Sequence, residues 1–424
     1  MAKTITGKQV GDSYYQVEHP SGLTVLLYPK EHCSTTYAIF GTRYGSIDNC
    51  FQRSDEAGPE SVPEGIAHYL EHKLFESEEG DAFERFSKTG ASANAFTSFE
   101  STCYLFSTTD QVYQSLEILL DFVQSPYFTE ETVRKEQGII GQEIKMYDDD
   151  PQWRVMFNYL KAMYRSHPIR EDIAGTVESI AKITPELLYR CYNTFYNLGN
   201  MVLAIAGNFQ VDKALAVCDK MLKPAAPVTV QRVFPQEPDT IVQPVVEERL
   251  SVASPLFQFG FKEPGADQPR SEKDVAATEV LLETLASDAS PLFRRLLDQG
   301  LVNESSFSYE YFEGNGYATV MFSGESKDPQ AVAQAILEEV ERFQREGIPA
   351  EAFERSKRAL YGELVAALNS TGSIANGLVN MHLKGRELFT YIDSLASLRL
   401  EDGEERLRKV FQRERSVLSV ILPH

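Results

Sequence analysis

The chain has 424 residues, 42% of them hydrophobic and 24% charged, enough for two or three domains each with its own core. Its 41 Lys and Arg against 62 Asp and Glu leave a net charge of −21, which excludes the basic face of a nucleic-acid binder and docking on anionic lipid. The opening residues carry no apolar core of signal-peptide length, and no later stretch is long enough to span a bilayer. Cys33, Cys50, Cys103, Cys191 and Cys218 are odd in number, scattered and free of C-x-x-C pairs, a pattern of reduced thiols in a cytoplasmic protein.

Segments 15–18, 24–28 and 35–40 are rich in β-branched and aromatic residues and separated by turn signals such as Ser21-Gly22, so they read as strands. A polar loop over 48–63 leads into Glu64-Gly-Ile-Ala-His-Tyr-Leu-Glu-His-Lys-Leu-Phe75. Ile66, Leu70 and Leu74 recur four apart there and predict a helix anchored in a core. That helix puts His68 and His72 at i and i+4 on one face, about a turn apart. Two imidazoles so placed can grip one metal ion with Glu71 beside it. A zinc site needs a third protein ligand and an open position for water.

A short helix at 81–86 and a strand pair at 91–98 and 101–106 follow, then a helix over 111–124. After Pro126, Thr129 with Glu131 and Thr132 starts a helix over 130–146, on which Glu136 and Glu143 lie two turns apart along one face. An apolar strand at 200–207 closes the half. Pro224, Pro227, Pro235, Pro238 and Pro244 mark 223–245 as a linker. Beyond it come strands at 255–261, 318–322 and 416–422 and helices at 275–285, 331–343 and 350–368.

That order recurs. Phe128, Thr129, Val133, Lys135, Ile140 and Glu143 fall opposite Ile348, Pro349, Phe353, Arg355, Leu360 and Glu363, each pair 220 positions apart with no insertion. The predicted fold is therefore α+β, two tandem copies of one unit: 1–222 with the histidine pair, a linker 223–245, and 246–424 without it. For the third ligand, His19 and His32 sit in no distinctive context, His167 lies in a loop before Pro168, and His382 and His424 belong to the second copy. Glu136 and Glu143 stand out, because they share a helix face in the first copy and a carboxylate with two imidazoles suits Zn²⁺.

His68-Tyr-Leu-Glu-His72 is the inverted zinc motif H-x-x-E-H. With Asn94-Ala-Phe-Thr-Ser-Phe-Glu100 and then Glu136-Gln-Gly-Ile-Ile-Gly-Gln-Glu143 behind it, the chain resembles the pitrilysin/insulinase family of zinc peptidases. The resemblance implies two α/β-roll domains, mostly antiparallel sheets covered by helices, forming half of a clamshell chamber. It implies one Zn²⁺ per chain on His68, His72 and Glu143, with Glu71 as catalytic base and Glu136 supporting the ligands from behind. Asn94, Ala95, Phe96 and Thr97 match the strand edge on which the family lays an extended peptide.

One departure matters. Members complete in one chain bring an Arg and a Tyr from the second copy to the substrate, and the matching segment here places Leu297 and Asn303 at those positions. Arg294 and Arg295 are close by but out of step. This resembles paired bacterial members, in which a related partner chain, in a homodimer or heterodimer, supplies that pair. The function expected is hydrolysis of short or unfolded peptides, weak without the partner. The alternatives are a non-catalytic scaffold or peptide-binding subunit of the same fold, which has no reason to retain His68, Glu71, His72 and Glu143 together, and some other metal-dependent hydrolase.

Overall fold

Apolar β-branched runs build two sheets in the computed structural model, which describes residues 2–78 and 80–424. From edge to edge the first sheet runs Lys3–Gly7, Asp12–Glu18, Thr24–Pro29, Met201–Gly207, Thr36–Thr42, Thr102–Thr108, Ser92–Thr97. The second runs Val245–Leu250, Ser416–Pro423, Leu256–Lys262, Tyr317–Glu325, Ser308–Gly314. Its five strands repeat the order of the last five in the first sheet, including the one parallel pair, Thr24–Pro29 with Met201–Gly207 in one and Val245–Leu250 with Ser416–Pro423 in the other. The helices Glu130–Asp148 and Ala350–Ala367 stand at the 220-residue offset. The fold is the predicted α+β pair of copies.

Burial follows position in the sheet. Met201–Gly207 is central and every residue of it is buried, as expected of a strand covered on both faces. Ser92–Thr97, at the edge, alternates exposed and half-buried residues.

The compact units are not the serial segments 1–222 and 246–424. One comprises residues up to Ile144, Glu171–Val233 and Val365–Thr390; the other comprises Lys145–Arg170, Phe234–Leu364 and Tyr391–His424. Each sheet is covered by a helix from the opposite half of the chain: Thr371–Leu383 on the first and Pro151–Met163 on the second. The strands accommodate them with a Phe-Gly pair at the same place in each copy. A Cβ on Gly41 would lie 2.9 Å from the Val379 side chain, and one on Gly260 would lie 2.3 Å from the Tyr159 hydroxyl. Sequence repetition marks the copies but does not say on which sheet each helix packs. The expected loop 48–63 and linker 223–245 also contribute short strands, Cys50–Arg53, Glu60–Ser61 and Val230–Arg232, which pair as a third sheet.

All five cysteines are free thiols. No helix among the described residues is long and apolar enough to cross a membrane.

His167 is part of the second unit's core and not a ligand. Its ring packs near Phe234, Tyr164 and Tyr317. Nε2 lies 2.9 Å from the Asn315 carbonyl and Nδ1 accepts from the Ile169 N–H at 3.1 Å, which together require the neutral Nε2–H tautomer. Burial pushes its pKa down to about 4, against a smaller upward pull from the Asn315 carbonyl and Glu237. The unfolded imidazole titrates near 6.5, so the unfolded chain takes up the proton first as pH falls. Stability contributed here is complete above about pH 6.5 and is lost as pH falls toward about 4, in total about 3 kcal/mol. Urea midpoints measured from pH 7 to pH 4 are expected to fall more steeply for the wild type than for His167→Gln. Parallel curves would show that this ring does not carry the acid sensitivity.

Candidate metal centre

The helix Ile66–Leu74 starts at a close crossing of two loops. Gly65 and Gly175 both have positive φ, and a Cβ on Gly65 would lie 2.3 Å from the Ala174 carbonyl oxygen. Ser179 Oγ donates to Glu64 O at 2.9 Å from the other side. Ile66, Ala67, Tyr69, Leu70 and Leu74 face the core, and the Tyr69 hydroxyl donates to Val133 O on the helix Glu130–Asp148. That second helix buries Val133, Glu136, Ile140 and Ile144, one face at helical spacing. The two helices are thus clamped with the histidines opposite the carboxylates.

The rings of His68 and His72 stand 4.6 Å apart, centroid to centroid, with planes at 66°. His68 Nε2 is 3.7 Å from Glu143 Oε1, and His72 Nε2 is 3.4 Å from Glu143 Oε2. One ligand atom from each of the three residues lies within 4.8 Å of the others, the one such cluster of three or more His, Cys, Asp or Glu among the described residues. Tetrahedral Zn²⁺ with bonds of about 2.0–2.1 Å keeps its ligand atoms roughly 3.3–3.5 Å apart, so the set fits that ion after small adjustments.

Glu136 sits elsewhere. Its Oε1 is 3.0 Å from His72 Nδ1, which makes Nδ1 the protonated nitrogen and leaves the Nε2 lone pair directed at Glu143. Burial opposes a charge on His72, but the Glu136 hydrogen bond and the fields of Glu71, Glu143 and Glu136 carry its pKa upward. His68 is the reverse case: burial, helped by the nearby His72, lowers it to about 4, which keeps its nitrogens available as donors to a metal. Burial also raises Glu71, offset in part by a hydrogen bond from the Thr97 hydroxyl to Glu71 Oε2 at 2.7 Å.

Asn94, Ala95, Phe96 and Thr97 lie on the strand Ser92–Thr97, which pairs on one side with Thr102–Thr108 and ends its sheet. Asn94 Oδ1 accepts from the Ala95 N–H at 2.9 Å, Phe96 is 39% exposed, and Thr97 turns to Glu71. In the second unit, Asn303 Oδ1 is engaged by the backbone N–H groups of Ser305 and Ser306, and Arg295 donates to Ala335 O. Leu297 is half-buried near the end of the helix Pro291–Asp298, and Arg294 on the same helix is exposed. The sequence reading missed the hydroxyls of Thr97, Tyr69 and Ser179. The two glycines at 65 and 175 were the available signal for the loop crossing that starts the histidine helix.

A duplicated sheet-and-helix unit with an inverted histidine motif in one copy is the layout of a zinc-peptidase class, and comparison with known proteins narrows it. A model of the insulinase family (peptidase family M16) matches residues 60–177, and one described as the peptidase M16 inactive domain matches 182–360. The uncharacterized zinc protease YmfH of Bacillus subtilis (strain 168) is 39% identical over 428 residues, covering 100% of each chain. The uncharacterized zinc protease YmxG of the same organism is 27% identical, covering 85% of this chain and 88% of that one. A crystal structure described as an M16-like peptidase of Alicyclobacillus acidocaldarius superposes with a TM-score of 0.92 at 35% identity, covering 100% of this chain and 98% of that one. The chain belongs to the insulinase family, and its similarity to proteins named as zinc proteases supports a peptidase.

Proposed function

We propose that the chain is a zinc-dependent peptidase acting on short or unfolded peptides, with Zn²⁺ on His68, His72 and Glu143 and with Glu71 as general base. The observation that carries this reading is the convergence of both Nε2 atoms on the Glu143 carboxylate, while Glu136 fixes the tautomer of His72. Bound Zn²⁺ supplies Lewis acidity, lowering the pKa of a coordinated water and polarising a peptide carbonyl. Glu71 has one oxygen on Thr97, and its other oxygen takes the proton of the attacking water and passes it to the leaving amine. An extended peptide adds to the unpaired side of Ser92–Thr97 through its backbone, largely without regard to side chains.

Leu297 and Asn303 cannot supply a guanidinium and a phenol, and Asn303 is already committed to its own turn. That supports a related partner chain as the source of both. The test is turnover of a mixed peptide library by the purified chain, with and without a co-purified relative and with and without a chelator. Chelator-sensitive hydrolysis that rises at least about tenfold, or 1.4 kcal/mol in barrier, with the relative present is expected. Full-rate cleavage by the chain alone would remove the partner from the reading. Undiminished cleavage after chelation would remove the zinc.

A further inference from the structure

We propose that Thr97 is the positioning residue for the general base, tying the last residue of the peptide-binding edge to Glu71 so that strand and base hold one geometry. This rests on the peptidase reading above and adds a role that separates Thr97 from Asn94, Ala95 and Phe96.

The direction of the hydrogen bond follows from what each hydroxyl can do. Thr97 Oγ1 lies 2.7 Å from Glu71 Oε2 and 3.4 Å from Thr102 Oγ1. Thr102 is fully buried and spends its one proton on Tyr44 O at 2.9 Å. A hydroxyl has a single proton to give, and an ionised carboxylate at short range is the strongest acceptor nearby. Thr97 therefore donates to Glu71.

Thr97 is itself rigidly placed. It pairs with Thr102, which pairs in turn with Thr42 across the sheet. The turn that follows is fastened by Ser98 N to Ser101 O at 2.8 Å, Ser46 N to Ser98 O at 3.0 Å and Ile47 N to Phe99 O at 3.1 Å. Gly45 packs so closely on this turn that a Cβ there would lie 2.4 Å from the Phe99 carbonyl. The β-branched side chain has few rotamers. Glu71, by contrast, has three side-chain torsions, and of the four residues on the edge Thr97 alone is hydrogen-bonded to it. The Thr97 backbone also hydrogen-bonds Glu71, so removing the hydroxyl takes away one of two anchors, leaves the strand's backbone in place and loosens the base in its productive position. The loss belongs in kcat and not in KM.

The test compares Thr97→Val, Thr97→Ser and Glu71→Gln in the zinc-loaded chain with its partner, and repeats the threonine variants without metal. Thr97→Val is expected to keep its zinc and its KM while kcat falls about 10–100-fold, and Thr97→Ser to recover most of the rate. In the metal-free protein a double-mutant cycle with Glu71→Ala reads the contact without turnover. Thr97→Val is expected to lower the melting temperature by about 1–4 °C when Glu71 is present and to leave it unchanged in the Glu71→Ala background. A wild-type kcat for Thr97→Val beside an inactive Glu71→Gln overturns the proposal and leaves the peptidase reading standing. Equal losses of melting temperature in both backgrounds overturn it as well. No hydrolysis by the wild-type chain with its partner would sink the peptidase reading, and with it any base for Thr97 to hold.

Discussion

Glu71→Gln is expected to keep one zinc per chain and to lose about 10²–10⁴ in kcat. The substitution preserves shape and an oxygen that can still accept from Thr97, so the helix and its neighbours have no reason to move. It removes the ability to take a proton from water, the part of general-base catalysis worth that factor. Glu71 is suited to the task by its surroundings. Burial raises its pKa toward the working range, Thr97 and His72 hold it back, and the nearby Glu143 adds to the rise. Zinc content and kcat should be measured on the same preparation. A Gln variant that still turns over peptide at the wild-type rate would place the base elsewhere.

The second large effect separates the two carboxylates. On the proposed ligand set, Glu143→Ala deletes a direct ligand and leaves the two imidazoles, so zinc affinity should fall by more than the roughly 10–100-fold typical of losing an outer hydrogen-bond partner. Glu136→Gln should fall within that smaller range, because Glu136 holds His72 at Nδ1 and stands outside the cluster of His68, His72 and Glu143. Competition with a chromophoric chelator gives both affinities on one scale. Glu136→Gln proving the more damaging of the two would reverse the roles of Glu136 and Glu143.

Those roles show where reading the residues stopped. Spacing placed His68 and His72 on one face and put Glu136 and Glu143 together on another helix. A separation of seven leaves the two carboxylates in line, and only the level at which the helices cross decides which of them faces both histidine Nε2 atoms. The Tyr69 hydroxyl on Val133 O and the loop crossing at Gly65 set that level, and both are tertiary contacts. The resemblance to a family assigned Glu143, and the structure brings both histidine Nε2 atoms to it.

The duplication was legible because identical strand order demands similar apolar patterns in both halves. The exchange of helices was not. Pro151–Met163 has readable start signals, with the Asp150 side chain accepting from Gln152 N and Trp153 N and with Pro151 in the first turn. No local signal says that it covers the second sheet. Thr371–Leu383 is harder still, since Gly372 and Gly377 weaken its helical pattern. Strands of two to four residues, such as Glu60–Ser61, are too short to leave an alternation.

X-ray absorption at the zinc edge on the zinc-loaded chain tests the ligand set directly. Two imidazole nitrogens and carboxylate or water oxygen, all at about 2.0–2.1 Å, are expected from His68, His72 and Glu143. A sulfur shell near 2.3 Å, or the same spectrum from a His68→Ala variant, would contradict it.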